Sequence, residues 1–145
     1  MARTSVLWAV LIFGTLLPAC AQATPGGSIP CIWGIVVYLS SIRDACKITT
    51  DVEMENALSY SMERLEGYIV KYSKDPNISH ALEKEKREVL DGLQQQAEIQ
   101  GCDEAQNFVQ IYTHFTQHNS AQSLRSEIDE ALSLPRADPF DGGCM

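Results

Sequence analysis

The cysteines and histidines are the residues of this chain whose types and spacing could form a chemical site. His114 and His118 lie four residues apart, on one face of a predicted helix, and could form a weak surface metal clip. The glutamate of a metalloprotease helix is missing between them, and no third ligand follows from the sequence. The cysteines form no CxxC pair and no cluster with histidine. Either pattern would favour a zinc site. We therefore interpret both histidines as solvated and predict no metal and no cofactor.

The sequence also lacks recognisable catalytic motifs. No serine lies in a Gly-x-Ser-x-Gly elbow, and there is neither a Walker loop nor a dinucleotide fingerprint. Carboxylates are numerous, but their spacing identifies no acid–base pair. The cysteines are expected to be oxidised and therefore not nucleophilic. These observations predict that the protein is not an enzyme.

The N-terminus has the pattern of a secretory signal peptide. Arg3 gives a short positive region, residues 5–17 form an apolar run too short to span a bilayer comfortably, and Ala21 and Ala23 supply small residues for cleavage. We predict a signal peptide over residues 1–23 and a single helical domain over residues 24–145, in a secreted or periplasmic protein. The alternative is a lipid anchor through Cys20, because residues 17–20 resemble a bacterial lipobox.

Either route removes or acylates Cys20, which leaves four cysteines and predicts two disulfides. Cys31 and Cys46 would bracket a helix of about 22 Å, whereas a disulfide needs Cα atoms within about 7 Å. In an antiparallel bundle Cys102 returns to the end at which Cys46 lies. We therefore predict the pairs Cys46–Cys102 and Cys31–Cys144, with Cys31–Cys102 as the main alternative.

The elements that must position these residues are helices. The pattern predicts five helical segments. The first is an apolar helix through about Cys46, and the second begins with a Thr50–Glu53 capping box. The third runs from Asp75-Pro76 to about Gln100, the fourth is capped by Asp103, and the fifth ends before Pro135. The first mature residues, from Thr24 up to Pro30, are predicted as a loop, and residues 136–145 as an irregular tail. Short connections favour antiparallel neighbours. The predicted fold is all-α, an up-down bundle of four to five helices cross-linked by two disulfides.

Composition restricts the function further. The chain is 45% hydrophobic, too apolar for a disordered protein, and its formal net charge of -8 argues against binding nucleic acid or anionic lipid. No transmembrane segment follows the signal peptide, so stable membrane insertion after processing is not expected. Asn77-Ile78-Ser79 matches an N-glycosylation acceptor in a predicted loop.

We predict a small exported protein-binding module that acts through protein–protein contact with another exported or envelope protein, as an inhibitor, an immunity-type protein or a signalling ligand. The alternative is a carrier of a small apolar ligand in a cavity between helices, since flexible methionines and aromatic residues can line such a cavity. The plan of the chain resembles periplasmic immunity proteins, small periplasmic chaperones, helical cytokines and insect-type ligand carriers. No specific motif supports one of these groups, so no functional residue is transferred from them.

Overall fold

The computed structural model describes residues 27–49, 51–104, 106–136, 138 and 140. Over these residues the chain forms α1 (Ile29–Cys46), α2 (Val52–Tyr72), α3 (Ile78–Gln100), α4 (Asn107–His118) and α5 (Ala121–Ser133). The described residues contain no strand, so the predicted all-α class is confirmed. The predicted signal peptide, residues 1–23, lies outside the described residues.

Helix α1 begins earlier than the sequence pattern predicts. Ser28 caps it, with its hydroxyl accepting a hydrogen bond from the Cys31 N–H at 3.4 Å, and Pro30 lies in the first turn. The prediction of a loop through Pro30 is therefore wrong. The first-turn N–H groups have no partner within a helix, so proline loses nothing there and its fixed φ suits the helix.

Helix α2 is capped one residue later than predicted. The Asp51 carboxylate accepts a hydrogen bond from the Met54 N–H at 2.7 Å. The predicted cap, Thr50, lies outside the described residues. Both residues can cap a helix, and the carboxylate has the additional advantage of a negative charge at the positive end of the helix dipole.

The predicted caps of α3 and α4 are also wrong. Asp75 instead accepts a hydrogen bond from the Asn77 N–H at 2.8 Å in a turn that precedes α3. Asp103 likewise begins a turn, in which its carbonyl accepts from the Gln106 N–H at 3.1 Å, and α4 follows this turn. Short acidic side chains favour turns as strongly as helix caps, which explains both differences.

Helix α5 begins with a capping box. The Ser120 hydroxyl accepts from the Ser123 N–H, and the Ser123 hydroxyl accepts from the Ser120 N–H, each at 3.0 Å. We expect Ser120→Ala to lower the free energy of unfolding by about 1 kcal/mol, because the Ser123 N–H loses its side-chain acceptor. Urea denaturation measures the loss, and Ser126→Ala, at an exposed position in the middle of the same helix, is the matched control. Equal effects of the two substitutions would contradict the role of the box.

Helix α1 lies at the centre of the core and packs against α2, α3 and α4. Its buried apolar side chains are Ile29, Trp33, Val36, Val37, Leu39 and Ile42. It is also the one described helix long and apolar enough to cross a membrane. Core helices and signal sequences share that property, and 44% of α1 is buried within the protein.

A polar network joins the first three helices at the edge of the core. The Trp33 indole N–H donates to Glu66 at 3.1 Å, and the Lys86 ammonium lies 2.9 Å from Glu66 and 2.6 Å from Glu83. Partial burial lowers the pKa of Lys86, but hydrogen bonds to Glu83 and Glu66 outweigh it and raise the pKa above its usual value. The hydrogen bond from Lys86 lowers the pKa of Glu83. These shifts follow from a structural ion-pair network that holds α1, α2 and α3 together.

Helix α5 packs against α2 and runs in the same direction. Near the start of both helices Arg125 lies 3.8 Å from Glu53, and further along the Tyr60 hydroxyl donates to Asp129 at 2.9 Å. Strict alternation of five helices would make α2 and α5 antiparallel. The predicted up-down bundle is therefore not confirmed.

The short length of α4 explains why α5 runs in the same direction as α2. It has 12 residues, about 18 Å, against about 27 Å for the 18 residues of α1. The chain enters α4 just after Cys102, which is bonded to the end of α1, and it enters α5 close to the start of α2. Helix α4 therefore connects two points near the same end of the molecule.

The predicted Cys46–Cys102 disulfide is confirmed, with Cα atoms 5.5 Å apart. Cys31 is also disulfide-bonded, but Cys144 lies outside the described residues, so the Cys31–Cys144 pair remains a prediction. The Arg136 guanidinium donates to the Gly27 carbonyl at 2.6 Å. The chain after α5 therefore lies beside the start of α1, the geometry that this pairing requires.

Candidate functional site

Two segments of this acidic protein contain no Asp, Glu, Lys or Arg. They are residues 29–42 of α1 and residues 105–124, which include all of α4, in a chain that is 21% charged. Helices α1 and α4 pack against each other. Together they give the molecule a surface without formal charge at neutral pH.

An apolar groove lies on this surface, between α1, α4 and α5. Its narrow part has a volume of about 260 Å³ and is lined by Ile32, Ile35, Val36, Leu39, Phe115, Leu124, Glu127, Ile128 and Ala131. Its wide part has a volume of about 790 Å³ and is lined by Ile35, Leu39, Asn107, Gln110, Ile111, His114, Phe115, His118 and Asn119. The two parts share Ile35, Leu39 and Phe115 and are therefore continuous.

The groove exposes large apolar side chains to solvent. Ile35 is 58% exposed and Ile111 is 49% exposed, whereas Leu39 and Ile128 at the base are buried. Solvent exposure of such side chains in one continuous patch is typical of a surface that contacts another molecule. Because Ile35 and Ile111 on the walls are exposed to solvent, this is an open groove rather than an enclosed cavity.

Among the described residues, Glu127 alone in the two linings has a formal charge at neutral pH. It is exposed and forms no ion pair with the part of the chain that the structure describes. The one basic residue of α5, Arg125, lies on the α2 side of that helix, near Glu53. The groove therefore has a single carboxylate on its edge and no lysine or arginine.

The histidine pair lies along the wide part of the groove. The ring centroids of His114 and His118 are 4.1 Å apart, and Nδ1 of His118 is 2.8 Å from the His114 carbonyl oxygen. A carbonyl can only accept, so this nitrogen carries the proton and is not free to bind a metal. No group of three metal-binding side chains occurs among the described residues. The pair contributes polar ring edges to the groove.

A second, charged cleft lies between α2 and α5. It has a volume of about 530 Å³, and its lining includes Arg64, Asp129 and the paired rings of Tyr68 and Tyr72. Asp129 already accepts hydrogen bonds from Tyr60 and Arg64. The hydrogen bond to Asp129 raises the pKa of Tyr60, because ionisation would place two negative oxygens together. Arg64 and Asp129 of this cleft therefore join α2 to α5.

Asn77, the predicted glycosylation acceptor, is exposed in the connection between α2 and α3. It lies immediately before α3 and does not contribute to either lining. A glycan at Asn77 would therefore not fill the groove directly.

The comparisons with known proteins give no match: no family model, no curated protein and no solved structure is similar to the chain. The groove is consequently interpreted from its own geometry. Sequence reasoning assigned the apolar residues of α1, α4 and α5 to the core and did not identify the groove. The long uncharged stretch around α4 is the signal that could have indicated it.

Proposed function

We propose that this protein is an exported protein-binding module that holds a partner protein in the apolar groove and catalyses no reaction. The observation that carries the proposal is the open groove itself, with exposed isoleucines in a surface almost free of charge. Depletion of charge, together with well-packed apolar and aromatic side chains, characterises the centres of protein interfaces. The partner would be another exported or envelope protein, which this module would inhibit, neutralise or signal to.

The disulfide supports an oxidising compartment for this protein. Disulfides persist in oxidising environments outside the cytosol, and Cys46–Cys102 is such a bond. Together with the predicted signal peptide over residues 1–23, it supports a secreted or periplasmic protein. A lipid anchor through Cys20 remains the alternative, and it would keep the same groove at a membrane surface.

The carrier of a small apolar ligand is the second candidate function. The narrow part of the groove favours it, because about 260 Å³ between three helices is lined almost wholly by apolar side chains. Small-molecule sites generally bury most of their ligand. The exposure of Ile35 on the wall of this part argues for an open contact surface and ranks the carrier below the protein binder.

Affinity capture tests the proposal. The wild-type protein, Ile111→Asp and Ile99→Asp would each be immobilised and exposed to the envelope and secreted fractions of the source organism at low salt. Ile99 is 76% exposed on α3 and lines neither part of the groove, so Ile99→Asp is a matched control. We expect a stoichiometric partner on the wild type and on Ile99→Asp, and its loss on Ile111→Asp.

Two results would contradict the binder. Equal capture by all three proteins would place the contact elsewhere. Recovery of a stoichiometric lipid by organic extraction of the protein from its native host, without a captured partner, would assign the groove to the carrier function.

A further inference from the structure

The backbone around the apolar groove determines what kind of segment can enter it. All three walls are helices, whose backbone N–H and C=O groups are already paired along each helix. The described residues contain no strand, so no sheet edge is present there to receive an extended peptide. An α-helix is the segment that can enter this groove with its backbone hydrogen bonds already made, whereas an extended segment would find no strand to pair with among these walls.

The spacing of the side chains fits the same occupant. Ile32, Ile35 and Leu39 of α1 lie at i, i+3 and i+7 and form a continuous stripe along the base and one wall. This stripe is about 10 Å long, or two turns of helix, and the wide part of the groove extends beyond it along α4. A helix docked against it would present apolar side chains at i, i+3, i+4 and i+7.

The charge of the groove indicates which side chains should lie beside the apolar stripe of the docked helix. The carboxylate of Glu127 is the sole formal charge that the described residues bring to the lining, and the whole chain has a net charge of -8. A lysine or arginine beside the apolar stripe of the partner would meet Glu127 and would be attracted by the acidic molecule as a whole. We infer that the apolar groove binds an amphipathic helical segment of the partner with a basic flank; this inference rests on the proposed protein-binding function.

A second copy of this chain fits the groove less well. The uncharged faces of α1 and α4 have no lysine or arginine to pair with Glu127. Two copies would also carry a net charge of -8 each and repel one another at low salt. The basic helix of a different protein is therefore the occupant that the charges favour.

Two synthetic peptides test the inference. Each would have about 14 residues, four turns of helix, with the same leucine stripe and a fluorescent label, and they would differ only in having lysine or glutamate along one flank. Fluorescence anisotropy with the full mature protein at low salt gives both dissociation constants. We expect the lysine peptide to bind roughly 1.5-fold to fivefold more tightly, the range of an exposed ion pair.

Variants test whether Glu127 causes the difference in affinity between the two peptides. Glu127→Lys should reduce the preference for the lysine peptide by more than Glu130→Lys, which changes the net charge equally on the same helix but lies outside both linings. Ile111→Asp should weaken both peptides. Circular dichroism and thermal melting of each variant would verify that it is folded.

The outcomes separate this inference from the proposed function. Equal affinities for the two peptides, or equal effects of Glu127→Lys and Glu130→Lys on the preference, would overturn the basic flank even if Ile111→Asp still abolishes capture of the native partner. Failure of both peptides to bind, with capture of that partner intact, would overturn the helical occupant. Self-association of the wild type that Ile111→Asp abolishes would assign the groove to a second copy. Capture that is insensitive to Ile111→Asp would overturn the proposed function itself.

Discussion

Replacement of Cys46 and Cys102 together by serine is expected to lower the free energy of unfolding by about 4 kcal/mol, because the bond closes a loop with a sequence separation of 56 residues. Without the bond, the unfolded chain gains the conformational freedom that this closed loop removes. Neither cysteine is fully buried, so serine itself should introduce little strain. Urea denaturation of the wild type and the double variant measures the difference.

Reduction of the wild type provides the matched control for this prediction. Strong reductant should lower the unfolding midpoint at least as far as the double substitution does, with thiol counting to verify that the bond is broken. An unchanged midpoint in either experiment would show that the link between the ends of α1 and α3 does not stabilise the fold.

The double variant Ile35→Asp/Ile111→Asp is expected to weaken the partner complex by roughly 100-fold or more, about 3 kcal/mol. Each substitution removes exposed apolar contact area and introduces a charge that binding would desolvate. Both positions face solvent in the free protein, so the unfolding midpoint should hardly change. Titration calorimetry with the captured partner gives the affinity.

Val52→Asp/Ile99→Asp is the matched control, because both positions are exposed and neither lines the groove. An equal loss of affinity in the control would indicate a general effect of added negative charge. Retention of wild-type affinity by Ile35→Asp/Ile111→Asp, with both chains folded, would remove the groove from the interface.

The helices and one disulfide were predictable because they depend on local pattern and on a single geometric argument. Apolar spacing predicted α2 to α5, and α3 ends at Gln100 as predicted, with the Gly101 N–H donating to the Ala97 carbonyl at 2.8 Å. Cys46 and Cys102 meet because α1 and α3 end at the same end of the molecule. The exact first residues of the helices were less predictable, since adjacent residues such as Thr50 and Asp51 can each cap the same helix.

The groove was not predictable, because it depends on which helices pack together. In the sequence of α4, Phe108, Tyr112 and Phe115 have the spacing of one apolar helix face, which Ile111 widens. In the structure Phe108 and Tyr112 are buried, whereas Ile111 remains 49% exposed. A single helix pattern does not reveal that α5 packs against α2 and leaves the outer side of α4 open.

Site-specific photocrosslinking tests the central claim most directly. The photoreactive residue p-benzoylphenylalanine would be placed at Ile111, in the groove, or at Ile99, on α3, and each protein irradiated in the native envelope or secreted fraction. Our account predicts a covalent adduct with one partner protein from position 111, mapped to a helical segment of that partner, and none from position 99. Adducts with that partner from position 99 and not from position 111 would contradict the claim that the groove is the partner-binding site.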